Sequence, residues 1–238
     1  MSAYNINKDV ALCLLVRNEE ACLKIMLPQV TAYLQEIGFT NVYAVDGGST
    51  DQTAAILASF QIPVISQSQR GRGQAFHEAF DKIPAQAIIF YSPDGNEDIK
   101  DLPKFFKYLE EGHDLVIASR MCDGAVNEED HQLFKWRKWA NKAFNVLANV
   151  LFRRTGIFIT DSINGFRALT TSAYKKLNLT AQDYTIEYQM TIRSFKHQIK
   201  IKEFPTVEGQ RVAGDTGAPS FQTGIKFLKR LWTEFSEK

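Results

Sequence analysis

Ser92, Asp94 and Asn96 stand two residues apart in Ser92-Pro93-Asp94-Gly95-Asn96, directly after the apolar run Ala87-Ile88-Ile89-Phe90-Tyr91. Oxygen side chains at alternate positions beyond a strand's carboxyl end suit a hard divalent cation, Mg²⁺ or Mn²⁺, that holds phosphate oxygens. Asp94 is the principal candidate ligand, with Ser92 and Asn96 supplying weaker oxygens or binding through water. Such a cation would neutralise the charge of a departing nucleoside diphosphate. Pro-Asp-Gly is also a strong turn sequence, so the spacing alone is weak evidence.

A second strand end has the same character. Val42-Tyr43-Ala44-Val45 stops at Asp46-Gly47-Gly48-Ser49-Thr50-Asp51. There Asp46 is placed to accept hydrogen bonds from a base or ribose, and Gly47 and Gly48 let a ligand approach the backbone. After the first strand, Arg17-Asn18-Glu19-Glu20 should lie beside this turn, with Glu19 toward base or ribose. Arg70-Gly71-Arg72-Gly73 sets two guanidiniums, Arg70 and Arg72, on a loop before a helix, a pairing suited to diphosphate. The plain alternatives are helix-capping carboxylates and a solvated basic turn.

These residues need elements to hold them. Strands are expected at Val10–Val16, Asn41–Val45, Ile62–Ile65, Ala87–Tyr91 and Leu115–Ala118. Helices should run from Glu19 to Ile37, from about Asp51, to about Asp81, and from Asp98 to Glu111. Pro28 is expected to break or restart the first of them. Strand–helix alternation over the first 120 residues predicts an α/β fold, a mostly parallel sheet covered on both faces by right-handed crossovers. The second half reads as more helical, with helices near His131–Arg153, Thr185–His197 and Phe221–Phe235 and strands near Phe166 and Ile199–Phe204. No linker is visible, so one domain with a nucleotide-binding half (1–120) and an acceptor-side half (121–238) is expected.

Composition narrows the classes. The chain has 238 residues, 45% hydrophobic and 23% charged, and a net charge of +1, which gives no support to nucleic acid as a partner. Cys13, Cys22 and Cys122 lack metal-ligand spacing and read as idle thiols of a reducing cytoplasm. No signal-peptide pattern or membrane-length apolar run is present. His77, His113, His131 and His197 are scattered without zinc spacing. No G-x-G-x-x-G follows the first strand, against a dinucleotide-dependent dehydrogenase. No glycine-rich loop stands there either, against a sugar nucleotidyltransferase.

The ordered set "RNEE", "VDGGSTDQT", "RGRGQAF", "SPDGN", "IASR" and "DSINGFRALT" resembles family 2 glycosyltransferases of the GT-A fold, a Rossmann-like α/β architecture. It is most similar to the branch of dolichyl- and polyprenyl-phosphate sugar synthases. The resemblance covers nearly the whole chain and implies an inverting transfer from a nucleoside-diphosphate sugar. It implies nucleotide contacts at Glu19 and Asp46 and a cation at Asp94 and Asn96, with Ser92 where the family's first acid usually stands. Arg120 and Arg211 match phosphate partners; Asp161, Asn164, Arg167 and Glu187 match the acceptor side. No Gln-x-x-Arg-Trp motif is present, which implies one sugar per encounter. A phosphate acceptor would need no strong base; for a hydroxyl acceptor, Asp161 and Glu187 are the candidates. A glycan or small-molecule hydroxyl is the alternative acceptor, and a non-catalytic nucleotide-sugar-binding protein the alternative role.

From His131 to Thr160 the bases Lys135, Arg137, Lys138, Lys142, Arg153 and Arg154 meet no acid. Leu133, Trp136, Ala140, Ala143, Phe144, Leu147, Val150 and Leu151 recur at helical spacing, with Lys135, Lys138, Lys142, Asn145 and Asn149 opposite. Such a helix suits an anionic bilayer and a lipid-phosphate acceptor, which would place the protein peripherally on the inner membrane face. Packing of the apolar stripe on the protein's own sheet is the alternative.

Overall fold

The structure, a computed structural model, describes residues 4–128, 136–213 and 220–237. Elements run α1 (Ile6–Asp9), β1 (Val10–Val16), α2 (Glu20–Glu36), β2 (Val42–Asp46), α3 (Thr53–Ser59), β3 (Val64–Ser66), α4 (Arg72–Lys82) and β4 (Ala87–Tyr91). A 3₁₀ turn (Ile99–Asp101) then leads to α5 (Leu102–Glu110), β5 (Leu115–Ser119), α6 (Trp136–Phe152), β6 (Arg167–Thr170), α7 (Thr171–Leu177), α8 (Ile186–Lys196), β7 (Ile201–Pro205) and α9 (Ser220–Ser236).

The strands form one sheet in the order β3-β2-β1-β4-β6-β5-β7. β6 is antiparallel to both its neighbours, and every other pairing is parallel. The carboxyl ends of β1, β2, β4 and β5 therefore open on one edge of the sheet. β6 and β7, from the second half of the chain, share that sheet with strands from the first. β1 shows why its run reads as continuously apolar: both faces are covered. Ala11, Cys13 and Leu15 pack with Phe76 and Phe90 on one side, while Leu12, Leu14 and Val16 meet Leu23, Leu27 and Phe105 on the other.

Two expectations fail for physical reasons. Pro28 lies within an unbroken α2. Its ring and the carbonyl it leaves unbonded, that of Lys24, lie on the exposed face, where water can satisfy the carbonyl. The helix stops instead at Gly38, φ +68, where Phe39 N–H reaches Leu34 O and Gly38 N–H reaches Gln35 O.

The second correction concerns α6. Its first expected turn, with Leu133 and Lys135, lies outside the described residues. Further along, Asn145 and Asn149 face inward at 2% exposure each, while Val150 is 72% exposed, and Leu147 and Leu151 are also exposed. The amides are buried because they hold the segment that follows. Asn149 donates to Ile159 O and accepts from Ile159 N–H, and Asn145 accepts from Ser162 N–H. The buried amides share the inward face of α6 with Ala148 and Phe152, so hydrogen bonding as well as apolarity sets which face points in.

Candidate active site

The strand edge carries two adjoining cavities of about 540 and 510 Å³. Arg72, Ser92, Asp94, Asn96 and Tyr184 line both and form their common wall. The first cavity adds Arg17, Glu19, Gly47 and Arg211, from the ends of β1 and β2 and the segment before α9. In the second cavity Glu97, Arg120, Asn164, Glu187 and Glu208 join the common wall, with apolar sides from α6 and α9. Strand ends from separate parts of the chain thus converge on Asp94.

The Ser92–Asn96 turn is built tightly. Asp94 Oδ1 accepts from Asn96 N–H at 3.1 Å, and Asp94 O accepts from Val212 N–H at 2.9 Å. Gly95 has φ +95, and a Cβ there would stand 2.6 Å from Val212 Cγ1. Glycine is therefore required both by backbone conformation and by the crossing segment. Burial raises the Asp94 carboxyl above its ordinary value, against the Asn96 N–H and the Arg211 charge. Asn96 Oδ1 is buried without a hydrogen-bond partner among the described residues. An orphaned amide oxygen beside a buried carboxylate is a donor set that fits a hard cation.

Arg211 spans the first cavity. Its Nη1 donates to Asp94 at 2.8 Å, and its Nη2 donates to both Glu19 oxygens at 2.7 and 2.6 Å. The guanidinium thus neutralises the two carboxylates, Asp94 and Glu19, that face this cavity. Arg72, the first residue of α4, donates through Nε to Glu187, and no other hydrogen bond of its guanidinium appears among the described residues. A Cβ at Gly165 would lie 2.0 Å from Arg72 Nη2, so glycine is needed for the arginine to reach the common wall.

In the second cavity Arg120 is clamped by two acids. Its Nε and Nη2 donate to the two oxygens of Asp161, at 2.7 and 3.0 Å, and its Nη1 donates to Glu208 at 2.9 Å. Burial opposes ionisation of Asp161, yet Arg120 holds its carboxyl below the ordinary value. Asn164 donates to Ala118 O at 2.6 Å.

Several expected site residues lie away from both cavities. Asp46 turns back to accept from Ser49 N–H and Oγ at 3.0 and 2.5 Å, so Gly47 rather than Asp46 forms the cavity wall. Gly48 (φ +80) completes that turn, and Arg70 is exposed beyond it. Asp161 and Arg167 are fully buried beneath the acceptor side. Arg167 donates to Asn164 O and Glu187 O, which makes it a brace. Since Asp161 and Glu187 are both ion-paired to arginines, neither stands as a free base.

The sequence reading missed Glu97, Glu203, Glu208 and Tyr184. Glu97 had a local signal, being the residue after Asn96; the other three had none. Burial and the nearby Asp94 charge push the Glu97 carboxyl up to about 8.

Glu203, on β7, supports the Asp161 segment by accepting from Thr160 N–H and Asp161 N–H, each at 2.8 Å. Burial, with the Asp161 charge adding to it, pushes Glu203 from 4.5 up to about 7. The folded state therefore holds this proton more tightly than the unfolded chain. The resulting stabilisation is complete below pH 4.5 and is lost as pH rises through about 7. The melting temperature should fall by a few degrees across this window, and Glu203→Gln should flatten the fall. A parent profile that is level or rises between pH 5 and 7 would contradict this.

Residues 12–177 match the family model described as Glycosyl transferase family 2. Glycosyltransferase AglJ of Haloferax volcanii is 32% identical over 211 residues, covering 85% of this chain and 66% of AglJ. A dolichyl-phosphate hexose transferase of the same organism is 26% identical over 231 residues, covering 97% and 95% of the two chains. The chain spans half the length of another Haloferax volcanii relative, the low-salt glycan biosynthesis hexosyltransferase Agl6. The crystal structure of Mycobacterium tuberculosis glucosyl-3-phosphoglycerate synthase with Mn²⁺, UDP and phosphoglyceric acid superposes with a TM-score of 0.74 at 17% identity. That superposition covers 99% of this chain and 81% of the other, and it shows the shared GT-A fold. With its strand-end motifs in order and the family model matched over most of its length, this chain belongs to glycosyl transferase family 2.

Proposed function

We propose that this protein transfers one sugar, with inversion, from a nucleoside-diphosphate sugar to polyprenyl phosphate at a membrane surface. The observation that carries this reading is the form of the acceptor-side cavity. Arg72 and Arg120 stand at its polar end, and Ala140 and Phe144 of α6 with Ile225 and Leu228 of α9 form its sides. The two helices run side by side in the same direction: Phe144 meets Phe227 at 5.3 Å, and Lys196 lies over Phe152 and bonds Glu234. Their outward faces expose Trp139, Val146 and Val150 on α6 and Leu228, Trp232 and Phe235 on α9. The polar cavity thus opens beside an apolar surface.

An anionic bilayer is the occupant that fits. Described α6 carries no acid, Lys142, Arg153 and Lys229 are exposed around the patch, and Glu234 of α9 is buried against Arg193 and Lys196. No helix among the described residues is long and apolar enough to cross a membrane, so contact would be interfacial. The dolichyl-phosphate hexose transferase among the relatives supports a lipid-phosphate acceptor.

In this reading Glu19, Arg17 and the Gly47 backbone receive the nucleoside, and Asp94 and Asn96 would hold Mg²⁺ or Mn²⁺. Bound there, the cation would offset charge on the departing diphosphate. Arg72, between the cavities, orients donor and acceptor phosphates with its remaining N–H groups. Arg211 would exchange its Glu19 and Asp94 bonds for phosphate oxygens as the cation enters. A phosphate acceptor is already anionic, consistent with both candidate bases being tied to arginines.

The test is transfer of radiolabelled sugar from a UDP- or GDP-sugar in the presence of polyprenyl phosphate. Label should partition into organic solvent; label found only in water-soluble product would overturn this acceptor. The surface has its own test, co-sedimentation with phosphatidylglycerol vesicles. Val150→Glu with Trp232→Glu should weaken binding by about tenfold or more without lowering the melting temperature. Equal sedimentation of parent and variant would contradict it.

A further inference from the structure

Family resemblance leaves the cation site one acid short, because Ser92 stands at the first acidic position. The fold brings another carboxylate to that place. Glu97 folds back over the turn so that its Oε2 accepts from the backbone N–H of Ser92 itself, at 2.7 Å. Its carboxylate therefore sits at the end of β4, against the backbone of the residue that stands at the missing acid's position. Tyr91 Oη donates to Glu97 O at 3.2 Å and fixes the backbone of the same turn. Glu97 lines the cavity together with Ser92, Asp94 and Asn96.

The other acids of the cavity each have a cation beside them: Asp94 has Arg211, Glu187 has Arg72 and Glu208 has Arg120. Among the described residues no lysine or arginine pairs with Glu97. The adjacent Asn96 Oδ1, buried and without a partner, lies on the same turn. On the turn that carries Asp94, Asn96 Oδ1 thus has no partner and Glu97 no counter-charge among the described residues.

We propose that Glu97 supplies the carboxylate missing at Ser92 and completes a divalent-cation site with Asp94 and Asn96 Oδ1. The proposal rests on the reading of this strand end as a cation–diphosphate site. It predicts that the first acid of the usual pair has been moved five residues along the chain and returned to its place by the fold of the turn. Ser92, whose N–H is donated to Glu97, would then contribute only its hydroxyl. The remaining ligands would be water and diphosphate oxygens, as is usual for Mg²⁺ and Mn²⁺.

Free Mn²⁺ can be followed by electron paramagnetic resonance as it is titrated into the protein, alone and with UDP or GDP. Metal-linked nucleotide binding by the parent tests the underlying reading; the change on mutating Glu97 tests this proposal. Glu97→Gln should weaken Mn²⁺ binding by about ten- to a hundredfold, with metal-free nucleotide binding and melting temperature preserved. Ser92→Asp added to Glu97→Gln should recover most of the loss, which a merely structural role for Glu97 would not allow. Mn²⁺ affinity unchanged in Glu97→Gln, or no recovery in the double variant, overturns the proposal. If Glu97→Gln abolished transfer while holding Mn²⁺ normally, Glu97 would instead act on the acceptor, and the proposal would again fail. Anomalous diffraction from Mn²⁺-soaked parent crystals gives a check without any variant. It should place a Glu97 oxygen in direct contact with the metal; a metal bound by Asp94 with Glu97 out of reach would contradict it.

Discussion

Asp94→Asn should lower kcat/KM by about 10³-fold or more while leaving the fold intact, since transition-state charge on the diphosphate would lose its counter-ion. The expectation follows from position. Asp94 is the one acid on the wall common to both cavities, and it is 9% exposed. Asparagine keeps its shape and retains an oxygen for the Asn96 N–H. It also removes a negative charge that burial already disfavours and that lies near Glu19 and Glu97. Stability should therefore change little, and the loss of rate would report chemistry, not unfolding. The measurements are steady-state kinetics and a melting curve on the same preparation. Activity within tenfold of the parent would contradict the assignment.

Asp161→Ala should destabilise the protein by about 3–5 kcal/mol, the usual result of breaking a buried ion pair by removing one partner. Asp161 is fully buried, and its carboxylate accepts from Arg120 N–H, Arg120 Nε and Nη2, and Asn164 N–H. Alanine would leave Arg120 with Glu208 alone and leave the Asn164 turn uncapped. Since Arg120 faces the acceptor cavity, activity should fall as well, but through misplaced guanidinium and not through loss of a proton acceptor. Urea unfolding gives the stability change. A loss below about 1 kcal/mol would mean that the pair contributes little to holding this wall.

The succession of strands along the chain, and the strand ends that gather around Asp94, were readable because each rests on a local pattern. Ala87–Tyr91 is apolar on both faces, as a central parallel strand must be, and it stops where the candidate oxygen ligands begin. Asp94, Asn96, Arg72 and Glu19 all fell within such strand-end or helix-start segments. Asp46 belongs to the same kind of segment, yet its carboxylate caps its own turn, a choice of rotamer that residue type does not encode. The face of α6 was misread because periodicity treats asparagine as a surface residue. Asn145 and Asn149 are instead buried as scaffolding for residues 159–162, a contact invisible until the chain is folded. Asp161 and Arg167 matched an acceptor-side motif but lie behind the wall it forms. Motif spacing locates such a segment without saying which of its side chains face the cleft. Glu208 and Glu203 come from a distant stretch and had no local mark.

The central claim is that acids at separate strand ends, joined by a divalent cation, bind one nucleoside diphosphate. Isothermal titration of UDP and of GDP, each with and without Mn²⁺, tests it most directly. The account predicts that at least one of them binds and that Mn²⁺ tightens its binding in the parent but not in Asp94→Asn. Failure of both nucleotides to bind in the presence of Mn²⁺, or binding indifferent to metal and to Asp94, would contradict it.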